Sequence, residues 1–288
     1  MPESPVIPRP EEFKSKCDEI FAAKAGRTCL VVDFDRTVTR AFTDDGANAA
    51  TCYGIVESFS GFTDEYKQQI QLIFEKYFPI EIDPAIPVEE KIPVMHEWHG
   101  KAHELMLTQN LCKADLAACV RDCPNLVVRD GAWEVFRLAK DLGMPMVVFS
   151  AGLGNVIREV LDQQLPAELQ EWSQEHVHIV SNMLLWTDEG KLAGFSEPLI
   201  HVFNKNLQEA SANLREALKD RDHVILAGDS MGDLSMADGL DAKVVVKFGW
   251  LNSNVEGNLD RYSAAFDYIT TSDGTMHGLV DFLKQLSA

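Results

Sequence analysis

The sequence is poor in positive charge and has no long apolar segment. It contains 26 Lys and Arg residues against 45 Asp and Glu residues, and its formal net charge is -19 with a pI near 4.7. Because such an acidic surface repels nucleic acid and anionic lipid, we expect neither as a partner. No apolar run approaches the ~20 residues that a membrane-spanning helix requires. An anionic ligand would therefore need a local positive site, provided by a lysine, a helix N-terminus or a metal ion.

The six cysteines show no pairing or metal-binding pattern. Cys112, Cys119 and Cys123 fall in a helical pattern without a CxxC pair or a nearby pair of histidines, which favours reduced thiols over disulfides or zinc ligands. Residues 1–10 lack the apolar segment of a secretory signal, so we expect a cytosolic protein. The length of 288 residues suits one large domain or one domain with an insertion, and the absence of a large apolar stripe favours a monomer.

One stretch organises the chain. Residues 29–32 form a short apolar run that predicts a buried strand, and Asp33 and Asp35 follow where the strand ends. Residues i and i+2 of an extended chain point the same way, so both carboxylates are expected to face one pocket, with Thr37 just beyond. A divalent cation would hold two such carboxylates together, or one would stay protonated, which suits a nucleophile beside a general acid. The alternative is a surface turn with two solvated aspartates.

The rest of the sequence divides into a helical segment and an α/β segment. Between residues 42 and 124 the pattern predicts no strand, and an all-helical insertion directly after the first strand is typical of a lid. Strand and helix patterns alternate after residue 126, which favours a mostly parallel sheet with helices on both faces. We predict helices at 11–24, 63–78, 87–109, 114–121, 131–142, 206–219 and 276–286 and one beginning at 155, strands at 145–150, 178–181, 223–227, 243–248 and 268–270, a loop at 42–62, turns at 79–84 and 151–154, and a hairpin at 183–195.

Polar residues of complementary type follow three further strands or loops. Ser150 and the amide of Ala151 precede a predicted helix start, a place that suits a phosphate oxygen. Lys205 can neutralise a phosphate or the bond being broken. Asp229 and Asp233 stand in the sequence GDSMGD, and with the first pair they supply enough carboxylates for an oxygen-ligated Mg2+ ion. Taken singly these residues suit a turn hydroxyl, a solvated lysine and a surface turn, but their order at successive strand ends favours one shared site.

These motifs resemble those of phosphatases of the haloacid dehalogenase superfamily, in which DxDxT is followed by Ser or Thr, by Lys and by a GDxxxD loop. One branch, the cytosolic pyrimidine 5'-nucleotidases of type III, is similar from about residue 29 to the C-terminal helix. The segments that carry this closer resemblance are EKYFPIEIDP (75–84), VEEK (88–91), FSAG (149–152) and LIHVFNK (199–205). The resemblance implies a Rossmann-like three-layer α/β core formed by residues 1–42 and 125–288, with a helical cap formed by residues 43–124.

The resemblance also implies a mechanism. Asp33 would attack the phosphorus of a nucleoside 5'-monophosphate to form an aspartyl-phosphate, and Asp35 would protonate the leaving 5'-oxygen and then activate water. Mg2+ is implied between Asp33, the backbone carbonyl of Asp35 and Asp229. The other implied roles are phosphate binding by Ser150, Ala151 and Lys205, orientation of the acidic loop by Asp233, and support from Thr37.

The cap is expected to choose the base. By the resemblance, Glu81 contacts the nucleobase, either the exocyclic amine of cytosine or the positively charged 7-methylguanine; the alternative is a solvated acid in a turn. Trp98 or His99 is a candidate to stack on the base, and Trp98 suits the core of the cap as well. The chain departs from the family at Ala102, where a serine is common. A hydrogen bond to base or sugar would then be missing, which leaves the base preference open.

The expected function is a Mg2+-dependent 5'-nucleotidase acting on a small nucleoside monophosphate, CMP, UMP or 7-methyl-GMP. The alternatives are a phosphatase for another small phosphomonoester, such as phosphoserine or a sugar phosphate, and a non-catalytic nucleotide-binding protein of the same fold. The intact set of Asp33, Asp35, Lys205 and Asp229 favours catalysis, because a binding protein has little need of an acid and a base.

Overall fold

A parallel sheet forms the centre of the molecule, in a computed structural model that describes residues 5–207 and 211–287. Its strands, with a separate hairpin, are β1 Thr28–Val32, β2 Met146–Leu153, β3 Val177–Asn182, β4 Leu184–Trp186, β5 Leu192–Phe195, β6 His223–Gly228, β7 Val244–Leu251 and β8 Tyr268–Thr271. The six-stranded sheet has the order β3, β2, β1, β6, β7, β8, and every neighbouring pair is parallel. β4 and β5 pair antiparallel, which confirms the predicted hairpin.

Both faces of the sheet are covered. Leu30 and Val32 of β1 belong to one apolar cluster, whereas Cys29 and Val31 belong to another, because successive side chains of a strand point to opposite faces. An apolar run without alternating polar residues is therefore the pattern expected of a strand buried on both sides.

The later strands of the sheet lie on opposite sides of β1. The chain adds β2 and β3 on one side and then crosses to β6 on the other, so β1 lies between β2 and β6. The N–H of Asp33 still pairs with the carbonyl of Ala227 in β6, at 2.9 Å. Open α/β sheets bind ligands in the crevice at such a switch point. The residues that follow β1, β2 and β6 consequently meet at one edge.

Helices surround the sheet and form most of the insertion after β1. They are α1 Pro10–Ala23, α2 Cys52–Glu57, α3 Asp64–Ile82, α4 Val88–Leu107, α5 Asp115–Arg121, α6 Ala132–Asp141, α7 Gly154–Gln164, α8 Ala167–His176, α9 Ala212–Leu218, α10 Val255–Ala265 and α11 His277–Leu286. Residues 43–124, all of which the structure describes, contribute no strand to the sheet, as the sequence predicted. Within the described ranges, no helix is both long enough and apolar enough to cross a membrane.

Two predictions about the insertion are wrong. The predicted turn at 79–84 is helical up to Ile82, with Pro79 inside α3. A proline removes one helical hydrogen bond, and this loss is tolerated where aromatic packing holds the helix end, here by Phe78 stacked on Phe74 at 4.8 Å. The predicted loop at 42–62 contains α2, whose first turn is capped by Thr51 accepting the N–H of Gly54 at 3.2 Å.

The α/β segment differs from prediction in three places. β2 continues through Leu153, so Ala151 and Gly152 belong to the strand rather than to a turn. α8 and α10 were not predicted, because neither has a strong apolar stripe. Of the helix predicted at 206–219, α9 covers Ala212–Leu218, and residues 208–210 lie outside the described residues.

The two long helices of the insertion pack on each other and on the hairpin. Tyr77 of α3 donates a hydrogen bond to Glu97 of α4 at 2.6 Å, and its ring stacks on Trp98. His103 of α4 stacks on Phe195 of β5, with 3.6 Å between ring centroids and 2° between planes. The hairpin therefore supports the insertion although it follows β3 in sequence.

Candidate active site

A buried lysine joins two carboxylates at the end of β1. Lys205 Nζ lies 2.5 Å from Asp33 Oδ1 and 2.7 Å from Asp233 Oδ1, and all three side chains are buried. Burial by itself would lower the pKa of Lys205, but the charges of Asp233 and Asp33 raise it above its ordinary value. Lys205 therefore remains a cation and provides the local positive site that this acidic protein needs for an anionic ligand.

Three carboxylates converge beside that lysine. One oxygen each of Asp33, Asp229 and Asp233 lies within 4.8 Å of the others. Burial raises the pKa of Asp33 well above its ordinary range, and burial together with the charge of Asp233 raises the pKa of Asp229 to about 7. Since one lysine cannot neutralise three converging carboxylates, the group favours a proton or an added cation.

The hydrogen bonds of this group indicate which carboxylates can hold a cation. Asp33 Oδ2 is buried and has no hydrogen-bond partner among the described residues. Both oxygens of Asp233 are engaged, Oδ1 by Lys205 and Oδ2 by the N–H groups of Asp229 and Ser230 at 3.0 and 2.8 Å. Oxygen-only ligands of this kind fit a hard divalent cation. Asp33 and Asp229 are thus placed to hold such a cation, whereas Asp233 holds the backbone of Asp229 and Ser230.

The acidic loop packs directly on the segment that precedes Lys205. Ser230 Oγ donates a hydrogen bond to Asp233 Oδ2 at 2.9 Å. A Cβ on Gly232 would lie 1.9 Å from the carbonyl oxygen of Val202, so the two backbones can approach this closely only at a glycine. The GDSMGD sequence is therefore packed against its neighbours, with Gly228 and Asp233 buried and the four residues between them partly buried.

Asp35 is placed by a turn rather than by strand alternation. β1 ends at Val32, and the turn Phe34–Val38 that follows holds Arg36 at φ 64°, in the left-handed region. Asp35 Oδ1 accepts the N–H of Cys52 at 2.9 Å. Burial raises the pKa of Asp35, while hydrogen bonds from Cys52 lower it. The prediction that Asp35 is presented by an extended strand is wrong in its cause, because the backbone turns before this residue.

Ser150 and Ala151 lie at the carboxyl end of β2, beside β1. The pairing register of β2 with β3 shifts between Phe149 and Leu153. Ser150 Oγ accepts the N–H of Gly152 at 3.0 Å, which leaves its proton for donation, and Ala151 O accepts from Asn182 at 2.8 Å. A hydroxyl with a free proton at this edge can donate to an anion, and phosphate binding by Ser150 and Ala151 stays a prediction.

Arg129 is a residue that the sequence analysis missed. Its buried guanidinium donates to the carbonyls of Thr37 and Arg36 at 2.7 and 2.6 Å and pairs with Asp273 at 3.0 Å. It thereby holds the backbone of the turn that carries Asp35, and the Thr37 hydroxyl beside it is buried without a partner among the described residues. A single arginine in the sequence VVRDG has no local signal for this role.

Asn252 connects the same turn to the acidic loop. Its side-chain amide lies 3.0 Å from the carbonyl of Arg36 and 3.4 Å from Asp229 Oδ2, and its carbonyl oxygen accepts from Arg129 at 3.2 Å. Tyr262 donates a hydrogen bond to the backbone carbonyl of Asp229. Asn252 lies in the loop after β7 and Tyr262 lies in α10. Together they contact the side chain and the backbone carbonyl of Asp229.

Glu81 lies in the last turn of α3 and is partly buried. Burial raises its pKa, and the charges of Arg36, Lys91 and Lys205 lower it. Lys91 Nζ also donates to the backbone carbonyl of Glu81 at 2.7 Å. The end of α3 is thus joined to α4 by a hydrogen bond.

The other predicted cap residues lie on α4. Trp98 is stacked on Tyr77 with 14° between planes, so part of its surface belongs to the packing of α3 against α4. His99 lies beside Tyr53 of α2 at 5.5 Å, and burial lowers its pKa to about 3. Ala102 is buried on the same helix. His99 is therefore a neutral ring at physiological pH.

A second aromatic group next to His99 was not predicted. Tyr53 OH lies 2.8 Å from His103 Nε2, and His103 stacks on Phe195. Burial lowers the pKa of His103 to about 4. The group combines α2, α4 and the hairpin, so no local pattern in the sequence reports it.

The sequence has known relatives. Residues 36–287 match the model of the family described as pyrimidine 5'-nucleotidase (UMPH-1). The chain belongs to this family. The 7-methylguanosine phosphate-specific 5'-nucleotidase of Gallus gallus is 36% identical over 283 residues, covering 97% of this chain and 95% of the relative. The resemblance found in the sequence is thereby confirmed, and the chain is an enzyme of the 5'-nucleotidase type.

Solved structures agree with membership of the pyrimidine 5'-nucleotidase family. A crystal structure of cytosolic 5'-nucleotidase IIIB bound to cytidine has a TM-score of 0.84 at 32% identity, covering 98% of this chain and 93% of that chain. A phospho-aspartyl intermediate analogue of phosphoserine phosphatase has a TM-score of 0.53 at 15% identity, covering 89% and 98%, which shows a shared fold alone. The predicted α/β class with a mostly parallel sheet is confirmed.

Proposed function

We propose that this pyrimidine 5'-nucleotidase family member hydrolyses nucleoside 5'-monophosphates to nucleoside and phosphate through an aspartyl-phosphate on Asp33. The observation that supports it best is the buried pairing of Asp33 with Lys205, beside a second carboxylate at Asp229. A buried carboxylate with one unpartnered oxygen is a nucleophile held in place, and the adjacent cation offsets the charge that builds on the phosphoryl group.

Each side chain at the sheet edge has a role in this reaction. Asp33 attacks the phosphorus, while Lys205 and Ser150 with the amide of Ala151 hold the phosphoryl oxygens. Asp35 gives its proton to the leaving 5'-oxygen and takes one from water when the aspartyl-phosphate is hydrolysed. Asp233 keeps Lys205 in position through their 2.7 Å contact. Thr37 supports the turn that carries Asp35.

Mg2+ is the metal that we propose for the carboxylate group. Asp33, Asp229 and the backbone carbonyl of Asp35 would hold it, and the oxygens of Asp33 and Asp229 belong to the converging carboxylates described above. When bound, the ion neutralises carboxylate and phosphoryl charge and orients the phosphate for attack.

Residues 43–124 are proposed to act as the cap that selects the base. Glu81 is partly buried at the end of α3, and we propose that its carboxylate accepts from the amine of cytosine or pairs with positively charged 7-methylguanine. Ala102 has no hydroxyl to donate, so discrimination rests more heavily on Glu81 and on the rings of Trp98 and His99. CMP, UMP and 7-methyl-GMP are the substrates that we propose, for a monomeric enzyme acting in the cytosol.

The direct test is phosphate release from CMP, UMP, 7-methyl-GMP, AMP, phosphoserine and glucose 6-phosphate, each with Mg2+ and with EDTA. We expect release from the first three, and loss of at least about 10²-fold in EDTA, because the carboxylate group is left without its counter-charge. Release only from phosphoserine or glucose 6-phosphate would replace the nucleotidase proposal with another phosphatase. Release from none would indicate a nucleotide-binding protein.

Replacing Glu81 by Gln should impair nucleotide turnover selectively. Loss of a charged hydrogen bond to the base is expected to lower kcat/KM for CMP or 7-methyl-GMP by about 10- to 100-fold, while p-nitrophenyl phosphate, which has no base, changes less than about twofold. Glu75→Gln, an exposed acid earlier on α3, is the matched control and should leave both rates unchanged. Equal losses on both substrates would show that Glu81 does not read the base.

A further inference from the structure

Asp35 is contacted by a cysteine from the insertion. Cys52 is the first residue of α2 and is completely buried. Its N–H lies 2.9 Å from Asp35 Oδ1, although the two residues are 17 positions apart. The proposed acid and base of the reaction is thus held by an element outside the sheet.

The Cys52 thiol lies against the same carboxyl group. A Cβ on Gly152 would lie 2.9 Å from Asp35 Oδ2, 2.8 Å from Cys52 Cβ and 3.0 Å from Cys52 Sγ. The carboxyl and the thiol therefore meet over the bare backbone of Gly152, at the end of β2. Ordinary side-chain contacts are no closer than about 3.4 Å, so a Cβ at position 152 would crowd both groups.

We propose that Cys52 is a positioning residue for Asp35, whose thiol and backbone N–H fix the carboxyl in the orientation that delivers its proton to the leaving oxygen. The inference rests on the proposed function, in which Asp35 is the general acid. The backbone N–H holds Oδ1, and the thiol limits rotation of the carboxyl toward β2. A sulfhydryl is a weak donor, so its main effect is to restrict geometry.

The consequence is a link between the insertion and catalysis. Thr51 caps α2 through the N–H of Gly54, and the N–H of Cys52 at the start of that helix donates to Asp35 in the turn Phe34–Val38. A displacement of α2 would therefore move the Asp35 carboxyl, whereas Asp33 is held by Lys205 independently of α2.

The test compares leaving groups. An alkyl phosphate such as CMP needs a proton on the departing oxygen, whereas p-nitrophenyl phosphate releases a stable phenolate without one. For Cys52→Ala we expect kcat/KM to fall about 5- to 10-fold with CMP and less than about twofold with p-nitrophenyl phosphate. Cys52→Ser, which keeps the volume and a donor, should recover CMP activity to within about twofold of the native enzyme. Cys119→Ala, a buried cysteine of α5, is the control for cysteine loss.

A double-mutant cycle with Asp35→Ala completes the design, because an effect that acts through Asp35 should disappear when Asp35 is absent. Equal losses of Cys52→Ala on both substrates, or an undiminished effect in the Asp35→Ala background, would overturn the inference and leave Cys52 a packing residue. Failure of the proposed function looks different, since the native enzyme would then release no phosphate from CMP. In that case glycerol phosphate replaces CMP as the alkyl ester, and the same comparison decides the role of Cys52.

Discussion

The Asp33→Asn variant should release phosphate from its nucleotide substrate at least about 10³-fold more slowly than the native enzyme. An amide oxygen is a poor nucleophile and cannot form the acyl phosphate. The amide keeps the shape of the side chain, and its oxygen can still accept from Lys205, so the fold should be retained. Initial rates with CMP and 7-methyl-GMP, with thermal unfolding alongside, measure both effects.

The matched control for this variant is Asp18→Asn, an exposed aspartate of α1 that pairs with Lys14 at the surface. It removes the same charge far from the site and should leave the rate within about twofold, because exposed ion pairs contribute little. A rate for Asp33→Asn within tenfold of native would remove Asp33 from the role of nucleophile. Beryllium fluoride trapping gives a second readout, since a stable acyl phosphate analogue should form on the native enzyme and not on the variant.

Replacing Lys205 by Met should lower both the rate and the stability. The change removes the cation between Asp33 and Asp233 and leaves the Oδ1 atoms of both buried carboxylates without it, which costs about 3–5 kcal/mol of unfolding free energy in comparable buried pairs. The rate should fall by about 10²- to 10³-fold, because a positive group next to the phosphoryl oxygens is lost. Denaturant unfolding of the metal-free enzyme and initial rates with Mg2+ measure the two effects.

The stability loss should also depend on pH in a defined direction. Burial and the charge of Asp233 raise the pKa of Asp229 from 3.8 to about 7, so between these values the folded form binds more protons than the unfolded form. The free energy of unfolding contributed by this group therefore rises as the pH falls through that window, and is lost at higher pH. Without Lys205 the carboxylates have less compensating positive charge, so the free energy of unfolding of the variant should rise more than that of the native enzyme as the pH falls below about 7. Lys14→Met is the control, and identical pH profiles for Lys205→Met and native would contradict this account.

The electrostatic arrangement explains how a protein with a net charge of -19 can accept a phosphate ester. Lys205 supplies a buried positive charge at the site, where it is held by Asp33 and Asp233 in a low-dielectric environment. A charge there interacts more strongly with the phosphoryl group than a charge at the surface would. Exposed acidic groups are screened over about 8–10 Å at physiological salt, so they repel the substrate only weakly at the site.

Local patterns predicted the sheet well and the insertion less well. The runs at 145–150, 223–227 and 243–248 are strands because buried parallel strands need continuous apolar residues, and such runs are visible without tertiary information. The predicted turn at 79–84 was wrong because proline normally breaks a helix, whereas Pro79 lies inside α3, where aromatic packing holds the helix. The sequence around α2 is rich in glycines and small residues and showed no helical pattern. The helix forms where it packs against the rest of the protein.

The sequence by itself determined the chemistry at the end of β1. An apolar strand must stop where Asp33 begins, and Lys205 and the GDSMGD loop follow elements that a parallel sheet brings to the same edge. Only the tertiary structure decided what holds these groups in place: Arg129 is 92 residues from Thr37, Asn252 is 216 residues from Arg36, and Cys52 reaches Asp35 from a helix of the insertion. The physical reason is that strand formation depends on local hydrophobicity, whereas these contacts depend on the positions of several packed elements at once.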